Sequence, residues 1–143
     1  MPQFGEASKK KLERVDPRLI EVLNRVIPYK DFTIISGFRG KAEQDLLFAE
    51  GRSTKKWPDS KHNRDAEGNI RPPCPAVDIA PWFSSTPNVR WDDQNEFILL
   101  AGMIIQAGRE IGVTIRWGGN WDMDDDAMDD QSFQDLGHFE IVE

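Results

Sequence analysis

Ala76-Val77-Asp78-Ile79-Ala80-Pro81 is the stretch on which the fold turns. Its apolar residues predict a strand over 76–80 that Pro81 ends, yet an acid sits at its centre. A carboxylate isolated in apolar surroundings is costly, so Asp78 needs a partner from elsewhere in the chain. Around this strand, Phe32 to Ser36, Val113 to Trp117 and His138 to Val142 read as three more short β-rich runs. Between them the spacing becomes helical. Ser8 to Val15 places Leu12 and Val15 on one face, and Asp16-Pro17 supplies an N-cap with Pro at the first helical position. From there Leu19, Ile20, Val22, Leu23, Val26 and Ile27 keep helical spacing up to Pro28. Lys41 to Glu50 predicts a helix stopped by Gly51, and Asp92 to Ile111 one that turns Phe97, Leu100, Ala101, Ile104, Ala107 and Ile111 inward.

Helices and short strands alternate without a Gly-rich phosphate loop, which predicts an α+β fold with a short antiparallel sheet packed against helices. The 143 residues fit one domain, 1–143, with 1–30 as an N-terminal helical segment. Residues 52–75 are polar and Pro-containing; a loop of that length inside a domain is usually either functional or disordered. The longest apolar stretch, Phe97 to Ala107, is broken by Gly102 and Gln106 and is too short to span a bilayer. No apolar signal region stands within Met1 to Lys11. Cys74 is the single cysteine, which excludes an internal disulfide and fits a reducing compartment. Its setting, Pro72-Pro73-Cys74-Pro75, is rigid and loop-like rather than that of a reactive thiol.

The net charge is −7, and seven Asp between 122 and 135 account for it; the remaining acids equal the 18 bases. Such a balance argues against nucleic-acid binding, whose affinity comes largely from cations on phosphate. Only two histidines occur. His62 lies in Asp59-Ser60-Lys61-His62, and His138 follows Asp135-Leu136-Gly137. Two His and a carboxylate with one open position are a catalytic zinc arrangement. Equally, each His can be a surface or hydrogen-bonded residue, and Asp78 a cap or an ion-pair partner.

Ser60-x-His62, Ala76-x-Asp78 and Asp135-x-x-His138-Phe139-Glu140, in that order, resemble the signature of the zinc D-Ala-D-Ala carboxypeptidase/L-alanyl-D-glutamate peptidase family. Ser36-Gly37-Phe38-Arg39 with Gln44, then Leu47 to Arg52, is similar to its substrate-binding region. Trp117-Gly118-Gly119-Asn120-Trp121 is similar to a stretch in the phage endolysin branch. The resemblance runs from about Ser36 to Glu143. It implies a Zn²⁺ site of His62, Asp78 and His138 at the centre of the fold, with Asp135 as general base. It implies Arg39 as oxyanion or carboxylate clamp, and Arg39, Gln44, Ser60 and Trp117 as substrate-binding residues. A local structural role stays open for Arg39 and for Ser60. The implied partner is bacterial peptidoglycan, cut in its stem peptide between L-Ala and D-Glu by a monomer. Such a protein is made in the host cytoplasm and reaches the wall after release, with neither nucleic acid nor membrane insertion involved.

Two features depart from the family pattern. Fifteen residues, 63–77, separate His62 from Asp78 where a shorter spacing is usual, so this segment reads as an inserted loop. Asp135 stands where many relatives carry Glu. A separate cation question concerns Asp122, Asp124, Asp126 and Asp130, at alternate positions of a loop that partly matches an EF-hand. Ala127 replaces the expected Gly, and Phe133 stands where a bidentate Glu belongs. The readings are a regulatory or structural Ca²⁺ site or a solvated acidic loop. Other functional classes are a D,D-carboxypeptidase with the same catalytic set, a non-catalytic metal-containing wall-binding module, and a calcium-binding interaction domain. The last leaves His62, Asp78 and Arg39 unexplained.

Overall fold

The computed structural model describes residues 1–126 and 135–143. Among them the chain forms α1 (Glu6–Leu12), α2 (Pro17–Val26), β1 (Phe32–Ser36), α3 (Lys41–Ala49), a 3-10 turn (Lys61–Asn63), β2 (Ala76–Pro81), α4 (Gln94–Glu110), β3 (Ile115–Gly118) and β4 (Asp135–Ile141). The α+β expectation holds. Asp16 caps α2 as its position before Pro17 predicts, accepting from the Arg18 backbone N–H at 2.9 Å. The last strand begins three residues earlier than expected, at Asp135, because Asp135 pairs with Gly118 of β3. No helix among the described residues is long and apolar enough to cross a membrane.

The four strands form one antiparallel sheet in the order β1-β2-β4-β3. Alternation gives that sheet two unlike faces. Ile34, Val77, Ile79, Phe139, Ile141, Ile115 and Trp117 point into the core, where α4 packs on the sheet and α2 on α4. Asp78, His138, Glu140 and Arg116 have the opposite parity and line a cleft on the other face. The core is continuous from Leu19 and Leu23 of α2 through Leu100 and Ile104 of α4 to the sheet, all within 1% of full burial.

Within the 63–77 segment read as an inserted loop, Arg64 to Pro75 joins the 3-10 turn to β2, Asn63 closing the turn and Ala76 and Val77 opening the strand. It is tied down at both ends. Arg64 donates to the Pro58 carbonyl at 2.8 Å, and Asp65 accepts from Arg71 at 2.7 Å and from the Asn69 backbone at 2.9 Å. At its far end Cys74 exchanges backbone hydrogen bonds with Arg14 and Asp16. Burial pushes the Cys74 thiol up to about 11, so it is a core residue and no nucleophile.

Candidate metal centre

Register builds half of the site. Asp78 of β2 lies directly opposite His138 of β4, and Oδ1 stands 3.0 Å from Nδ1. The other half arrives on the 3-10 turn. Ser60 caps it, its hydroxyl accepting from the His62 backbone N–H at 3.1 Å, while Asn63 reaches back to the Ser60 N–H at 3.1 Å. Asn63, fully buried, also donates to the Arg39 carbonyl at 3.0 Å, and Arg39 N–H donates to the His62 carbonyl at 2.8 Å. These bonds dock the turn onto the segment after β1 and aim His62 at the sheet. His62 Nε2 then lies 3.3 Å from Asp78 Oδ2 and 3.4 Å from His138 Nδ1.

The second nitrogen of each imidazole is already committed. His62 Nδ1 bonds the Gly37 carbonyl at 2.8 Å, and His138 Nε2 bonds Glu140 Oε1 at 2.8 Å. A carbonyl accepts only, so Nδ1 of His62 carries the proton and leaves the Nε2 lone pair facing inward. Such outer partners orient metal-binding histidines and set their tautomers. Gly37 is required here for space as well. A Cβ on it would lie 2.5 Å from the Lys11 carbonyl oxygen and 2.8 Å from Val15.

His62, Asp78 and His138 therefore offer two nitrogens and a carboxylate oxygen, all within 4.8 Å of one another. Together they can hold a metal ion, and this donor chemistry fits zinc. Among the described residues no other such cluster occurs. Burial works against charge on Asp78, but His62 and His138 outweigh it and hold the carboxyl well below the usual range. Burial likewise works against a charged His138, yet its bonds to Asp78 and Glu140 raise it to about 9. Glu140 is held low despite burial by His138, Lys61 and Arg116. Asp135, on the same cleft, moves the other way. Its burial, then the charge of Asp78, raise its pKa.

The cleft has a volume of about 920 Å³, and Trp91 and Trp121 stand among its lining residues. Arg39, Ser60 and Asp135 line it. Arg39, however, is 8% exposed and bonded to Asp78 and Gln44, so its guanidinium grips a metal-facing carboxylate. Gln44 and Trp117, expected to touch substrate, do not line the cleft. Gln44 is fully buried, donating to Ser53 and to the Lys55 carbonyl and accepting from Arg39 and Asn63. Trp117 is a core residue whose indole donates to the Leu136 carbonyl at 2.8 Å. The parity of its strand turns it away from Arg116 and the cleft. Asp122, Asp124 and Asp126 are exposed and form no metal-ligating group among the described residues, and Asp130 lies outside them.

The sequence reading missed Asn63, Lys61, Arg116 and the work of Glu140. Only Glu140 carried a signal, since two residues after His138 on a strand means the same face.

The family model for phage L-alanyl-D-glutamate peptidases matches residues 1–142. The L-alanyl-D-glutamate peptidase of Escherichia phage T5 is 34% identical over 146 residues, covering 98% of this chain and 98% of that protein. The crystal structure of the Serratia marcescens L-Ala D-Glu endopeptidase ChiX superposes with a TM-score of 0.71 at 25% identity, covering 97% of this chain and 89% of that one. With a His-Asp-His cluster at the heart of its cleft, the chain belongs to the phage L-alanyl-D-glutamate peptidase family.

Proposed function

We propose that this chain is a zinc peptidase that cuts the L-Ala–D-Glu bond of peptidoglycan stem peptides and so serves as a lysis enzyme. The observation that carries the reading is the convergence of His62, Asp78 and His138 on a cleft that also contains Asp135. His62 Nε2, an Asp78 oxygen and His138 Nδ1 would hold the ion. Zinc in such a site polarises a carbonyl and acidifies water. Asp135 takes a proton from the attacking water and delivers it to the leaving amine; its raised pKa brings it nearer the working pH. Arg39 hydrogen-bonds Asp78 and aims it. Ser60 and Asn63 hold the His62 turn.

The test is digestion of purified peptidoglycan with and without chelator, beside Asp135→Ala. New D-Glu amino termini that vanish with chelator and in the variant are expected. Release of free D-Ala would mean a D,D-carboxypeptidase instead. A metal-loaded protein that cuts nothing would be a wall-binding module.

A further inference from the structure

Glu140 is buried to 4% exposure and gathers more positive charge than it can neutralise. Its Oε1 accepts from His138, while its Oε2 receives both Lys61 Nζ at 2.6 Å and Arg116 Nη2 at 2.8 Å. Arg116 is there because it pairs with Glu140 across β3 and β4. Lys61 is there because the capped turn that aims His62 carries its neighbour along. With His138 neutral, as a metal ligand must be, one carboxylate faces two full cations. Both cations line the cleft, with side chains 44% and 31% exposed. Among the described residues each makes one polar contact, the bond to Glu140, so further N–H donors remain on both. Arg39 is differently placed, nearly buried and bonded to Asp78 and Gln44.

We infer that Lys61 and Arg116 form an anion subsite beside the metal centre that binds the free carboxylate of the residue carrying the new amino terminus, the glutamyl residue that follows the scissile bond. This rests on the proposed L-Ala–D-Glu cleavage. A glutamyl residue has two carboxyl groups and the peptide continues through at most one, so the other is free within a few bonds of the scissile nitrogen. Glu140 thus has two roles. It orients His138, and it holds two cations at fixed positions whose surplus charge selects an acid over an amide.

The experiment compares two soluble stem peptides that differ only in that group, the free carboxylate or its carboxamide. The wild-type enzyme is expected to prefer the acid by about 10- to 100-fold in kcat/KM, the worth of a charge-assisted hydrogen bond. Lys61→Met and Arg116→Met should each lose most of that preference, cleavage of the acid peptide falling about 10-fold further than cleavage of the amide peptide. Lys61→Arg and Arg116→Lys should retain the preference. Equal cleavage of both peptides by the wild type overturns the subsite. So does an equal fall on both peptides in the Met variants, which would make the cations mere props for Glu140. Failure of the wild-type, metal-loaded protein to cut either peptide would instead refute the proposed cleavage itself.

Discussion

At the scale of single residues, the site is a set of titratable groups that fix one another's charge. In the metal-free protein His138 has a pKa of about 9 against an ordinary 6.5. A raised value means that its stabilisation is complete below about 6.5 and is lost as pH rises toward 9. Asp78 and Glu140 are lowered, so their share is present above their ordinary 3.8 and 4.5 and lost in acid. Thermal melts of the chelated protein should therefore fall off on both sides of a plateau between about pH 4.5 and 6.5. Because a metal must displace the His138 proton, binding at pH 7 should release protons. Calorimetry in two buffers of different ionisation enthalpy will show it, and equal heats would contradict the ligand assignment. Glu140→Gln keeps the shape but removes the charge behind His138. Competition with a chromophoric chelator should show zinc affinity reduced about 10- to 100-fold.

At the scale of elements, the metal centre depends on how closely β4 lies against β2. Gly137 permits that approach. A Cβ there would lie 2.4 Å from the Ile79 carbonyl oxygen, a backbone atom that cannot swing away. Gly137→Ala should push apart the strands that pair Asp78 with His138, at a cost of about 1–3 kcal/mol. Chemical denaturation would measure the loss, and zinc binding should weaken with it. An alanine variant of unchanged stability and affinity would show that the strands have slack. The α2 cap offers a contrast far from the metal. Asp16→Ala should cost about 1 kcal/mol and leave zinc affinity untouched.

At the scale of the whole molecule, the ligands come from a loop turn, a central strand and the last strand, so the ion would clip together segments separated by up to 76 residues. Something that binds only the folded state stabilises it by mass action. Chelation should accordingly lower the melting temperature as well as abolish cleavage, and zinc should restore both. A loss of activity with no change in melting would place the essential ion elsewhere.

Much of this architecture is legible along the chain. Local periodicity suffices for β1, β2, α2 and α4, because burying one face of a helix or strand demands spacings of 3.6 or 2 that a reader can see. Asp78 inside its apolar run demands a partner, and the resemblance of the His62 and His138 motifs points to the same three residues that the fold brings together. What could not be read is which residues meet across the sheet. Strand order β1-β2-β4-β3 puts β4 between β2 and β3, and that pairing joins Asp78 to His138 and Arg116 to Glu140. The resemblance implied Trp117 as a substrate contact, but the parity of β3 turns it into the core. Long-range register is a property of the packed sheet. It sets Lys61, Arg116 and Glu140 around the centre, because no local spacing encodes which distant strand will lie alongside.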